Sequence, residues 1–181
     1  MDFGSWALGS PPVTTLDLRT LRLRPGEVRK ETLDVELEPF VLGGQRYDFV
    51  PSTIPVELVL SQASGATVFD LSLRLHLSGA CMRCLGFAEL ERDVTAREFY
   101  DPDAPVGDEL HSDYVAREHL RVSAWARDAI ALELPDQILC RPDCAGLCPV
   151  CGKDLNAEPH EHLEREPDPR WAALEGLREE L

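Results

Sequence analysis

Leu71-Ser72-Leu73-Arg74-Leu75-His76-Leu77-Ser78 alternates leucine with polar residues through eight positions. A period of two belongs to a β-strand with one face in a core and the other in water. Upstream, Ile54, Val56, Leu58 and Leu60 repeat the pattern, and Ser64-Gly65 supplies a turn between the two runs. Downstream, the run from Phe87 to Phe99 places Leu90, Val94 and Ala96 on one face. Three such strands with short links predict an antiparallel meander with one wet face. His76 falls on that polar side and reads as an exposed residue rather than a ligand.

Further out, residues 13 to 24 alternate Leu16, Leu18, Leu21 and Leu23 with charged neighbours, which predicts one or two short strands ending at Pro25-Gly26. Thr32 to Glu38 alternates again, with Leu33, Val35 and Leu37 on one face, and Gly43-Gly44 marks a loop. Residues 101 to 113 combine five acidic side chains with prolines and a glycine, the composition of a mobile acidic loop. Ser123 is placed to cap a helix from Ala124 to about Leu134, stopped by Pro135. Trp125, Ala129 and Leu132, with Ile130 beside them, form its packing face. Asp168-Pro169 can start a last helix, Arg170 to Glu180, with Trp171, Leu174 and Leu177 on one stripe.

The chain has 181 residues and no apolar run of the ~20 residues that span a bilayer. Met1 to Ser10 lacks the basic and apolar regions of a secretory signal, so the expected location is the cytoplasm, with no membrane partner. In that reducing compartment the six cysteines point to metal or redox chemistry rather than disulfides. The formal charge is −15, which repels nucleic acid at long range. Residues 1 to 30 depart from this trend: Arg19, Arg22, Arg24, Arg29 and Lys30 face three acids, and any RNA contact is expected near them.

The cysteines fall into Cys81-x2-Cys84 and Cys140-x3-Cys144-x3-Cys148-x2-Cys151. Cys148-Pro-Val-Cys151-Gly152 has the zinc-knuckle form: two thiolates three positions apart converge on a metal, and the glycine permits the tight turn. Cys81 and Cys84 offer the same spacing, with Gly86 slightly later. A thiol–disulfide active site would want a helix N-terminus after the CxxC, and an iron–sulfur cluster could use four of the cysteines; the glycines and nearby histidines favour zinc. Six cysteines do not divide by four, but His160 and His162 raise the donors to eight. One partition pairs Cys81, Cys84, Cys140 and Cys144, and leaves Cys148, Cys151, His160 and His162 as a second site. The other joins the two CxxC pairs in a single ribbon, with the histidines solvated. There is no catalytic motif such as H-E-x-x-H or G-x-S-x-G, so a non-enzymatic protein without a small-molecule substrate is expected.

These readings predict an α+β chain. Residues 1–135 hold an antiparallel β-sheet meander with an acidic loop and a packing helix, and residues 136–181 a C-terminal zinc-binding module with a terminal helix. Arg83 lies between two ligands of the first knuckle, where its side chain is expected to project outward. With Arg19, Arg22 and Arg24 it could form a basic patch for RNA or a partner; the plainer alternative is that it offsets thiolate charge or pairs with Asp143.

Cys81-Met82-Arg83-Cys84-Leu85, Leu134-Pro135, the block from Cys140 to Asn156, and Asp168-Pro169-Arg170-Trp171 together resemble the YceD family, the large ribosomal RNA subunit accumulation proteins. The helix Trp125 to Ile130 sits in the expected interval, and the resemblance spans about residues 13 to 180. It implies a cytosolic factor in accumulation or processing of 23S ribosomal RNA and assembly of the large ribosomal subunit. Its partner would be the 23S rRNA precursor or a ribosomal protein. Some relatives carry Cys-x-Cys at His160-x-His162, and others lack the second knuckle but keep a CxxC with a pair matching Cys140 and Cys144. That pattern favours two separable zinc sites. The rival reading is a zinc-ribbon adaptor that binds protein and never touches RNA, which the acidic composition favours.

Overall fold

The computed structural model describes residues 13–21, 23–63 and 65–162. Arg22 and the helix expected over residues 170–180 lie outside the described residues. Among the described residues the architecture is one larger and one smaller antiparallel β-sheet with one α-helix, an α+β arrangement. The chain divides at Cys144/Ala145 into two compact units.

Residues 71–78 do form the spine of the sheet, as part of β6 (Thr67–Ala80). β7 (Phe87–Tyr100) pairs along the whole of one β6 edge, from Thr67↔Tyr100 to Ala80↔Phe87. The opposite edge is shared. β5 (Thr53–Gln62) covers its first half, and β4 (Gln45–Phe49) covers its end through Tyr47↔Gly79 and Phe49↔Leu77. Between these two stretches, around the cis Val50-Pro51 peptide, the neighbouring chain leaves the β6 ladder and rejoins it at Val56↔Leu73. β2 (Val28–Glu36) flanks β5 from Val28↔Ser61 to Glu36↔Thr53. β3 (Phe40–Leu42) closes the sheet as a hairpin with β4 through Gly43-Gly44, where both residues have positive φ as a primed two-residue turn requires.

The inward positions are those that the alternation named. Ile54, Val56, Leu58 and Leu60, then Leu71, Leu73, Leu75 and Leu77, are buried together with Leu90 and Val94. Onto them packs α1 (Val122–Glu133), which buries Val122, Trp125, Ala126, Ala129 and Ile130. Leu132 does not join this face; it is 87% exposed on the last turn. Nor is Ser123 the cap. The helix begins at Val122, two residues before the expected Ala124, without a side-chain cap, and the Ser123 N–H donates to the Thr14 carbonyl instead. Leu134 is extended, as the residue before Pro135 must be, and the helix stops there.

The expected strands over residues 13–24 shrink to β1 (Thr15–Asp17). Asp17 is the reason: its carboxylate accepts the Arg19 N–H and turns Leu18–Thr20 into a 3-10 helix. β1 pairs instead with β9 (His119–Arg121), which pairs with β8 (Val115–Ala116) in a small three-stranded sheet. The acidic segment 101–113 is shaped by its own carboxylates: Asp101 accepts from the Asp103 N–H, and Asp108 from the Leu110 N–H. His76 is half-buried on the outer face with Nε2 3.3 Å from Glu89 Oε1, not freely exposed. Among the described residues no helix is long and apolar enough to cross a membrane.

Candidate metal centres

The two CxxC turns have the same backbone. In the first, the Leu85 N–H donates to the Cys81 carbonyl at 3.0 Å, and the Cys81 N–H to the Gly86 carbonyl at 2.6 Å. In the second, Gly152 donates to Cys148 and Cys148 to Lys153, both at 2.8 Å. The left-handed position after the second cysteine is Gly152 in one turn (φ +74) and Leu85 in the other (φ +60). The first knuckle thus places its left-handed residue one position before Gly86, and a leucine bears the cost, about 1–2 kcal/mol.

Each turn is one half of a quartet. β6 delivers Cys81 at its end, and the Met82 N–H donates to the Ile138 carbonyl, drawing the segment after α1 alongside. Cys140 and Cys144 arrive on that segment. Cys81 Sγ is 3.8 Å from Cys144 Sγ, and Cys84 Sγ is 3.6 Å from Cys140 Sγ. A tetrahedral ion with metal–sulfur bonds of about 2.3 Å separates its ligands by about 3.8 Å, so the spacing fits such an ion and is too long for a disulfide. The second quartet, Cys148, Cys151, His160 and His162, gathers in the other unit, with Cys151 Sγ 3.1 Å from His160 Nε2. In each group the four donor atoms lie within 4.8 Å of one another, and each group could hold a metal ion. Each quartet lies within one compact unit.

The surroundings favour a thiolate at one cysteine of each quartet. Burial alone would raise the Cys81 thiol, but N–H groups of Cys84, Cys140 and Arg83 outweigh it and bring it to about 6. The Cys151 N–H, against burial and with help from the Val150 N–H and His160, lowers Cys148 to about 6. The neighbouring Cys84 sulfur pushes Cys140 up to about 12, because adjacent thiolates repel without an ion between them. The Glu158 carbonyl, at 2.7 Å from Nδ1, raises His160 and leaves Nε2 to face the sulfurs. The first quartet is the more enclosed, with Cys81 and Cys144 buried and Cys140 exposed, whereas in the second only Cys148 is buried and Cys151 and His162 are exposed.

Arg83 is exposed but not free. Its Nε donates to Gln137 Oε1 and its Nη1 to the Cys144 carbonyl, both at 3.1 Å, so it ties the first knuckle to the segment bearing the other two thiols. Asp143 lies against Arg141 instead, at 3.3 Å. Arg19 makes a two-pronged pair with Asp17, at 3.0 and 2.9 Å, and Arg24 directs its backbone N–H to Glu27. Sequence reasoning missed Gln137, and also Asn156, whose side-chain oxygen accepts the Ala145 N–H. The Asp154-Leu155-Asn156 run after the second knuckle carried that signal: Asp154 binds Asn156, and Leu155 donates to Gly146.

A sequence profile described as "Large ribosomal RNA subunit accumulation protein YceD" matches residues 69–178. Uncharacterized proteins of Mycobacterium tuberculosis and Mycobacterium bovis are each 32% identical over 179 residues, covering 88% of this chain and 79% of theirs. The uncharacterized protein YlbN of Bacillus subtilis is 28% identical over 113 residues, covering 60% of this chain and 64% of its own. No solved structure matches the chain. The profile takes in β6 from Phe69 onward, β7, α1 and every residue of the two donor quartets, and with the mycobacterial likeness over most of both chains it establishes that this protein belongs to the YceD family.

Proposed function

We propose that the protein is a non-enzymatic, cytoplasmic factor that binds two structural zinc ions and supports accumulation of 23S ribosomal RNA during large-subunit assembly. The observation that carries the zinc reading is the pair of four-donor groups, one of four thiols and one of two thiols and two imidazoles. Sulfur and imidazole in tetrahedral spacing suit zinc above other common divalent ions, and four protein ligands leave no open position for a reacting water. The first ion would be held by Cys81, Cys84, Cys140 and Cys144 and would fix the segment after α1 to the sheet. The second would be held by Cys148, Cys151, His160 and His162 and would close the loop beyond it. When bound, zinc supplies folding energy rather than chemistry.

The ribosomal part of the reading rests on family membership. Its direct partner is proposed to be a basic protein of the assembling subunit, not bare RNA. The charge of −15 favours this, as do the internal bonds that occupy Arg19 and Arg83. The test is depletion of the protein from its host with 23S and 16S rRNA quantified together. A fall in the 23S:16S ratio, restored by the parent chain but not by Cys84→Ser, is expected. An unchanged ratio overturns the ribosomal reading; full rescue by Cys84→Ser overturns the need for the first zinc.

A further inference from the structure

Where β4 and β5 leave the β6 ladder, the outer face of the sheet opens into a cavity of about 250 Å³. Val50, Pro51 and Pro55 form its apolar wall over the buried Ile54 and Leu75, and Arg74 and His76 line it as well. The surrounding strands place carboxylates on both banks. Glu91 lines the β7 side. On the β2 side, Asp34 stands directly across from Pro55 and Glu36 from Thr53, on the same outward face as Glu57 and the exposed row of β7. The one arginine at the rim, Arg74, is taken up by a two-pronged pair with Asp93, at 2.7 and 3.0 Å. Asp34 and Glu36 form no ion pair among the described residues, whereas Glu91 lies in the field of Arg74 and directly across from His76. The face therefore presents a slot for one apolar side chain, with Glu91 at its rim beside Arg74 and His76, and Asp34 and Glu36 beyond it on β2.

We infer that this cavity is the docking site for a basic protein segment, which seats one aliphatic or aromatic side chain against Val50, Pro51 and Pro55. Flanking lysines or arginines meet Glu91 on one bank and Asp34 and Glu36 on the other. Charge complementarity selects the occupant: around the cavity Asp34, Glu36, Glu57, Glu89, Glu91 and Asp93 outweigh Arg74 and His76, an acidic excess that repels a phosphate backbone and attracts a cationic chain. The apolar anchor adds what exposed ion pairs cannot, since each such pair is weak and screened by salt. The inference deepens the proposed role by naming where its protein partner binds.

The test uses the zinc-loaded full chain, isotopically labelled, and a synthetic twelve-residue lysine- and arginine-rich peptide with one central leucine. Binding is followed by amide shifts and fluorescence anisotropy. Shifts are expected to concentrate at residues 50–56, 74–76 and 90–92. Glu36→Lys with Glu91→Lys should weaken binding about tenfold without moving the melting temperature. Exchanging the peptide leucine for serine should weaken it about tenfold or more. Three results would overturn the site: shifts spread evenly over the acidic surface, equal binding by the charge-reversed variant, or an RNA oligomer that shifts the same residues. Host cells carrying the charge-reversed variant separate the two readings. If peptide binding fails to localise while depletion still lowers 23S rRNA, the docking site falls and the ribosomal role stands.

Discussion

Adding a single methyl group at Gly79 should damage the sheet beside the first metal centre. Gly79 lies opposite Tyr47, and a Cβ there would meet the Arg46 carbonyl oxygen and Tyr47 Cε1 at 2.8 Å each. Tyr47 cannot step aside freely: it is fully buried, and its hydroxyl donates to the Ala80 carbonyl at 2.7 Å, one residue before Cys81. Overpacking of this kind costs about 1–3 kcal/mol. Displacing the ring also loses a hydrogen bond of about 1 kcal/mol, and replacing a strand glycine returns about 0.5–1 kcal/mol. Gly79→Ala should therefore destabilise the protein by about 1–3.5 kcal/mol, a fall of roughly 2–14 °C in melting temperature. Urea unfolding with unchanged m-value is the assay. In a Tyr47→Leu background the cost should drop by about 1 kcal/mol but not vanish, because the Arg46 carbonyl remains in place. Equal stability of Gly79→Ala and the parent, or an equal cost in both backgrounds, would refute the packing argument.

Other perturbations separate the two metal centres and the groups around them. Cys84→Ser should lower the main unfolding transition, whereas His162→Ala should leave it in place and release only the second metal; identical melting losses in both would contradict two independent quartets. Arg83→Ala should cost about 1 kcal/mol and speed zinc release to a chelator, because it frees Gln137 and the Cys144 carbonyl; unchanged release would show that those bonds contribute nothing. Tyr114 donates to Asp128 at 3.0 Å, and burial first, then that bond, pushes its hydroxyl up to about 12. A phenol whose folded value is raised favours the neutral form. Its stabilisation is complete below about pH 10 and lost as pH rises through about 12. Tyr114→Phe should flatten the parent's stability decline across that window, as read by urea midpoints; an unchanged slope would assign the decline to other groups.

The central strands were legible because their alternation is unbroken: a period of two over Leu71 to Leu77 admits no helical reading, and every inward leucine is buried. β3 and β4 were not, because Gln45-Arg-Tyr-Asp-Phe is polar and short, and only its place on the β6 edge buries Tyr47 and Phe49. The N-terminal alternation misled because Asp17 bends the chain into a 3-10 turn within three residues of the strand start. Leu132 has helical spacing from Trp125, yet the last turn of α1 leaves it in solvent. At the metal centres the spacing of cysteines within each turn was readable, since CxxC geometry is local. The meeting of Cys84 with Cys140 depends on the path of α1, and the sequence left two partitions open. The tether from Arg83 to Gln137 spans 54 positions and has no local signature.

The central claim is most directly tested by elemental analysis of the purified chain combined with zinc X-ray absorption. Two closed sites predict two zinc ions per chain and an average shell of about three sulfurs near 2.3 Å and one nitrogen near 2.0 Å, the mean of a four-sulfur and a two-sulfur, two-nitrogen site. One zinc per chain in an all-sulfur shell, with Cys140 and Cys144 open to alkylation, would contradict the account and restore the single ribbon.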